Sequence, residues 1–353
     1  MQLSVIVPVY NMAEGEKLSW CLRSLCTQEG LPDGEYEIIA VDDCSSDSSF
    51  AIMKEFESNY PEVFKAVHSP VNHHQGGAKN IGLSMAKGDW IGFIDADDWV
   101  TPTFYQRLLE RADKTDADMV GCDYCLTSEH SMKVGQTVHN NTLEQTGEMN
   151  EDKYRKLLLD TGSLVVKIYK RNIIFGEVAK AGTKIFPEDI FYEDNAISNT
   201  WMLRVKHFEY IPEPLYYYYQ HEESTVHTIS RKNLEDRCVA GRMILQQARD
   251  NNYLDTYKPE IEFMYTVLFY VNTLFSVMPK SSKIKDAYAF SNALCMEIKS
   301  EFPDFQNNKY YQERIHPEEK KLIRMQMKSQ LMFYMYYRAL WFYRDFRSKL
   351  SKG

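Results

Sequence analysis

A chain of 353 residues is longer than the roughly 150 that one hydrophobic core usually serves, so two domains are expected. Apolar residues at 44% and charged residues at 26% exclude the disordered, collagen-like and low-complexity classes. A formal charge of −9 gives no global field for nucleic acid, so no nucleic-acid partner is expected, and an anionic ligand would need a local cation to offset repulsion.

The chain opens on the apolar run Leu3 to Val9, without a basic n-region or a small-residue cleavage site, and so reads as a strand rather than a secretory signal. Further strands are expected at Glu37 to Val41, Phe64 to Val67, Trp90 to Ile94 and Asp118 to Tyr124. Helical patterns lie between them at Glu16 to Thr27, Ser46 to Tyr60, Gly77 to Lys87 and Pro102 to Lys114. Gly88 is a C′ stop in this reading, with Thr101 the N-cap and Pro102 the first residue of the fourth helix. Short β-rich runs alternating with helices imply βαβ units, hence an α/β fold with a mainly parallel sheet.

Leu126 to Asn150 is polar with little periodicity, and mixed structure resumes at Tyr154 to Tyr169 and Ile185 to Trp201. The Tyr-rich segment Tyr216 to Tyr219 follows Pro212 and Pro214 and completes a first domain over residues 1–230. Residues 231–353 are helical in pattern, with breaks at Pro259, Pro279, Pro303 and Pro317, and form a second domain. The longest uncharged apolar-rich run, Phe263 to Met278, has 16 residues, short of the about 20 that a spanning helix needs, and reads as a buried helix ended by Pro279. The seven cysteines are odd in number and lack paired metal-finger spacing, which argues against a disulfide framework and for a reducing cytoplasm. Cys122 and Cys125 form a C-x-x-C inside a strand pattern and are read as structural.

Ligands of open α/β sheets sit beyond the carboxyl ends of the strands, and acids collect there. The second strand runs into Asp42-Asp43 and the fourth into Asp95-Ala96-Asp97-Asp98. Two such clusters repel each other unless a cation uses the charge, and hard carboxylate oxygens suit Mg²⁺ or Mn²⁺ with substrate phosphates. Singly, each Asp is as easily a helix cap or turn former. The loop Asn72 to Asn80 carries Gly76-Gly77 into a helix whose first N–H groups suit an anion. No G-x-G-x-x-G follows the first strand and no G-x-x-x-x-G-K-[ST] is present, against a Rossmann dinucleotide enzyme and a P-loop NTPase.

Together SVIVPVYN at 4–11, EIIAVDDCSSDSS at 37–49, NHHQGGAKNIGLSMAKGDWIGFIDADDW at 72–99 and the later YEDNAISNTWML resemble the inverting glycosyltransferases of family 2, over roughly the first 230 residues. The resemblance implies a GT-A fold and a nucleotide-sugar donor, most often a UDP-sugar, with a glycan or lipid-linked acceptor. It implies a donor-binding set of Pro8, Val9, Tyr10, Asp43, Lys79, Asp95, Ala96 and His221, with Val9–Tyr10 and Asp43 around the base and Asp95 near the ribose. Asp97 would bind the divalent metal, Mg²⁺ or Mn²⁺, and Asp194 would be the catalytic base beside Glu193. The pattern usually has Gly at Cys44 and often Arg at Lys79.

An Asp at 194 is also a good helix N-cap, and Glu188 and Asp189 are the next candidates for the base. Trp99 and Trp201 read either as sugar-stacking platforms or as buried packing. Two other functions stay open here. Asp95-Ala96-Asp97 resembles a haloacid-dehalogenase phosphatase motif, although that motif expects Gly-Thr or Gly-Val where Asp98-Trp99 stands; the third class is a non-catalytic carbohydrate-binding protein. Residues 320–353 hold nine basic residues and one acid, a net +8 that leaves −17 on the rest. This basic aromatic helix suits either peripheral contact with the inner face of a membrane, or packing against its own domain or a second copy in a homodimer.

Overall fold

In the computed structural model, residues 1–32, 34–176, 183–220, 230–279, 282 and 284–350 are described, with 345–350 as backbone only. The first strands and helices alternate as β1 (Leu3–Val9), α1 (Lys17–Cys26), β2 (Tyr36–Asp43), α2 (Ser49–Asn59), β3 (Phe64–Ser69), α3 (His74–Met85) and β4 (Trp90–Phe93). A two-residue β5 (Trp99–Val100), α4 (Phe104–Thr115) and β6 (Met119–Thr127) follow. Then come β7 (Gln136–Val138), β8 (Gly147–Glu148), α5 (Glu151–Leu159), β9 (Lys167–Lys170), α6 (Arg171–Phe175), α7 (Glu193–Met202) and β10 (His207–Tyr219).

These strands make one sheet in the order β3-β2-β1-β4-β9-β6-β10-β5, with β7 on β6 and β8 on β10. The first four are mutually parallel, whereas β9 lies antiparallel between β4 and β6. Every residue of β1 is buried, as a strand covered on both faces requires. On one face Ile39 and Val41 pack with Ala78 of α3. The expected α/β fold with a mainly parallel sheet is therefore present. β1 has β2 on one side and β4 on the other, so the chain switches direction there and opens a crevice beyond the carboxyl ends of β1, β2 and β4.

Several boundaries differ from expectation: α2 starts at Ser49 rather than Ser46, α3 spans His74–Met85 rather than Gly77 to Lys87, and β6 runs on to Thr127. The fourth helix starts at Phe104 with Thr103 before it, because Thr101 N–H is committed to Leu215 O and Pro102 O to Glu29 N–H, which keeps those residues out of the helix. Gly88 is no helix stop: α3 ends at Met85, and a Cβ at Gly88 would come within 2.4 Å of Ser4 N. Its glycine serves the close approach to β1.

The chain divides into two compact units, Met1–Ser224 and Thr225–Gly353. The second comprises α8 (Arg231–Asp250), α9 (Lys258–Tyr265), a π-helical stretch Thr266–Val271, α10 (Asn272–Val277), α11 (Ala287–Glu301), α12 (Lys309–Arg314), α13 (Pro317–Lys328) and α14 (Gln330–Leu350). Among the described residues no helix is long and apolar enough to cross a membrane. Cys122 and Cys125 are both buried on β6, and all seven cysteines are free.

Candidate active site

Alternation along β2 separates its two terminal acids. Asp42 Oδ2 lies 2.7 Å from His68 Nδ1 on the neighbouring strand, while Asp43 accepts from the backbone N–H of His73 at 2.9 and 3.2 Å. Asp43 thus fixes the turn from which α3 starts. The next residue, Cys44, has φ 64°, a left-handed conformation natural to glycine.

The loops after β1 and β2 are latched together. Asn11 N–H donates to Ser45 Oγ at 2.9 Å and Asn11 Oδ1 accepts from Ser46 N–H at 2.8 Å, while Met12 and Ala13 N–H donate to Ser49 Oγ and Asp47 Oδ2. Pro8 and Val9 are buried at the end of β1, and the Tyr10 ring stands exposed at the rim. The expected helix from Ser46 therefore begins only at Ser49, because Ser45, Ser46 and Asp47 are committed to this latch.

Beyond β4, Ala96 is buried and Asp95 and Asp97 are half-buried. Cys21 of α1 supports this backbone, its thiol donating to Asp95 O at 3.6 Å. Asp98 turns inward, where it accepts from Tyr216 hydroxyl and, at 2.8 Å, from Tyr219 N–H. It ties the acidic loop to β10 and is a positioning residue that the sequence alone left unassigned.

The start of α3 docks against the segment before α7. Asn80 Oδ1 accepts from Ile185 and Phe186 N–H at 3.0 and 2.9 Å, and its Nδ2 donates to Phe186 O and Glu188 Oε1. A Cβ at Gly76 would lie 2.0 Å from Pro187 O, so glycine is what permits the contact. Glu188 is held by Asn80 and by Lys184, and Asp189 N–H donates to His73 O.

This docking brings Glu193, the first residue of α7, onto Lys79. Their buried side chains form an ion pair with Nζ to Oε1 at 2.6 Å. Asp194 is not the N-cap, which is Tyr192 in the left-handed region; it occupies the first turn, half-buried, and its Oδ1 accepts from Asn195 N–H and Nδ2. Burial pushes the Asp95 carboxyl up to about 7, against the pull of Lys79 and with the push of Asp97, Glu193 and Asp194. Burial disfavours the Lys79 ammonium, but Glu193, Asp95 and Asp194 more than compensate and raise its pKa. Three carboxylates therefore act on one ammonium, and Asp97 acts on Asp95.

The structure brings Asp95, Asp97, Lys79, Glu193 and Asp194 into one group, with Asp43, Val9 and Tyr10 on the neighbouring strand ends. His221 lies outside the described residues. Trp99 and Trp201 do not face the crevice. Trp99 is fully buried against Trp20 and Tyr217, and Trp201 packs on Phe93, Phe186 and Tyr169. Among the described residues no three His, Cys, Asp or Glu side chains are arranged to hold a metal ion unaided.

A curled, mostly parallel sheet with acids gathered at its switch point defines a GT-A glycosyltransferase architecture. In agreement, the crystal structure of residues 1–349 of S. aureus TarS in complex with UDP-GlcNAc superposes with a TM-score of 0.57, at 18% identity, over 90% of this chain and 93% of that one. The family model Glycosyl transferase family 2 matches residues 4–174. The uncharacterized glycosyltransferase YibD of Escherichia coli K12 is 30% identical over 277 residues, 76% of this chain and 76% of that protein. Glycosyltransferase GlyG of Streptococcus pneumoniae is 26% identical over 281 residues, 74% of this chain and 89% of that protein. The chain belongs to glycosyltransferase family 2. It is an enzyme that transfers a sugar, which removes the phosphatase and the non-catalytic alternatives.

Proposed function

We propose that this glycosyltransferase is an inverting, metal-dependent enzyme that moves a sugar from a UDP-sugar to a hydroxyl of a glycan or lipid-linked acceptor. The observation that carries the reading is the group of four mutually interacting carboxylates, Asp95, Asp97, Glu193 and Asp194, with Lys79 as their buried counter-charge at the sheet's switch point. Such a group repels a diphosphate unless a divalent cation intervenes. Asp97, with Asp95 beside it, is the residue that would hold Mg²⁺ or Mn²⁺. The remaining ligands would come from phosphate oxygens and water, as is usual for Mg²⁺, so a site without three protein ligands fits the ion. When bound, the ion offsets the charge that develops on the departing nucleoside diphosphate.

The residues of this chain have separable parts. The exposed Tyr10 ring, with Pro8, Val9 and Asp43 below it, offers a platform for the uracil, and Asp95 and Ala96 line the ribose side. Lys79 and Glu193 are positioning residues, since each neutralises the other in a buried pair. Asp194 is the base: anchored through one oxygen to Asn195, it takes the proton of the acceptor hydroxyl as that oxygen attacks the anomeric carbon from the face opposite the diphosphate. UDP-GlcNAc bound to the same fold in TarS supports the choice of nucleotide. The free thiols of all seven cysteines support a reducing cytoplasm as the compartment.

The test is Asp194→Asn in an assay of UDP release from a panel of UDP-, GDP- and dTDP-sugars with Mn²⁺. Turnover should fall by about 10²–10⁴-fold, the usual worth of a general base, while calorimetric UDP binding persists. Retained turnover in this variant, or turnover of GDP- or dTDP-sugars alone, refutes the assignment.

A further inference from the structure

Helix α14 carries apolar residues on two faces, and among the described residues only one is covered. Phe333 and Tyr337 are buried, Tyr334 packs on the cluster of Leu234, Val277 and Ala287, and Tyr337 meets Phe275. The other face is Leu331, Met332, Met335, Tyr336, Phe342 and Tyr343, which are 40% to 76% exposed. At about 3.6 residues per turn these six positions fall within a sector of about 140°, a continuous stripe rather than scattered side chains. A soluble helix ordinarily shows charged residues there.

The charge around the stripe selects what covers it. Between Lys320 and Arg344 the chain has six basic residues and no acid, although its overall charge is −9. Lys321 on α13 stands over the Tyr336 ring at 6.0 Å, and Arg338 rises beside the opposite edge, over Tyr334 at 5.9 Å. Arg344 is paired with Glu318. A two-fold contact between two copies of this face would oppose basic rims and is disfavoured. Methionine, leucine and aromatic side chains rimmed by Lys and Arg instead match the boundary of an anionic bilayer, with the rings at headgroup level and the cations on the phosphates.

We propose that α14 is an interfacial helix that lies flat on an anionic lipid surface, with Leu331, Met335 and Phe342 inserted and Lys321 and Arg338 on the headgroups. The proposal is independent of the assignment of Asp97 or Asp194. It is tested by flotation of the full chain with vesicles of equal parts phosphatidylglycerol and phosphatidylcholine, and with phosphatidylcholine alone.

The intact protein should float with the anionic vesicles only. The double variant Met335→Gln, Phe342→Gln should lose about tenfold in the bound fraction with an unchanged melting curve. Lys321→Glu with Arg338→Glu, at exposed positions, should lose it as well. Absence of flotation, equal flotation on neutral vesicles, or variants that float like the parent overturn the proposal. A dimer seen by light scattering that the apolar double variant dissolves also overturns it, in favour of a second copy.

Discussion

The buried pair between Lys79 and Glu193 offers the sharpest test of how the site is held. Both side chains are nearly inaccessible, at 3% and 6% exposure, and their charged atoms are 2.6 Å apart. Removing one partner strands the other charge in a medium that solvates it poorly, at a cost of about 3–5 kcal/mol. Lys79→Met belongs at the upper end, because Asp95 and Asp194 lose the same counter-charge as Glu193. Glu193→Gln belongs at the lower end, because those two acids still face the ammonium. Combining Lys79→Met with Glu193→Gln removes the desolvation cost with the attraction, so the double variant should cost no more than Lys79→Met alone, a coupling energy of about 3 kcal/mol. Urea unfolding followed by tryptophan fluorescence reads this directly, since four of the five tryptophans lie in the first unit. Single variants that each cost below about 1 kcal/mol and add without coupling would mean that solvent reaches the pair, and the reasoning fails.

Other consequences follow from backbone and burial. Cys44→Gly relieves a left-handed residue at φ 64° and should stabilise by about 0.5–1 kcal/mol, the conformational penalty less glycine's entropy; a lower urea midpoint would contradict it. Gly76→Ala would ordinarily favour a helix by about 1 kcal/mol, but its Cβ would lie 2.0 Å from Pro187 O, so it should destabilise by about 1–3 kcal/mol in the same assay. A stabilised Gly76→Ala protein would show that the docking is loose. Burial pushes the Lys167 ammonium, which donates to Thr161 O and Ser163 O, down to about 7. With the folded pKa below the unfolded one, its unfavourable contribution is complete below pH 7 and fades as pH rises toward that of a free lysine. Relative to Lys167→Met, the parent should gain about 1.4 kcal/mol per pH unit at most between pH 7 and 10; a flat difference refutes it.

The strand–helix alternation of the first 125 residues was legible because buried parallel strands are continuous apolar runs and the covering helices are not. The strand-end acids were legible for the same reason: once β2 and β4 are placed, Asp42-Asp43 and Asp95 to Asp98 can only lie at their tips. Which acid does what was hidden. Asp98 is anchored by Tyr216, 118 residues away, and Glu193 by Lys79, 114 residues away, and no local pattern records such partners. Tyr192, rather than Asp194, is the N-cap of α7 because docking of the preceding segment on Asn80 and Gly76 sets where the helix can start.

Composition, period and turn chemistry are properties of neighbours along the chain, and they were enough to determine the class of fold, the parallel half of the sheet and the place where charge accumulates. The antiparallel insertion of β9, the burial of Trp99 and Trp201, and the pairing of Lys79 with Glu193 depend on segments that meet from distant parts of the chain. Only tertiary structure decides such meetings, because their free energy comes from desolvation and packing between surfaces that do not exist until the chain has folded.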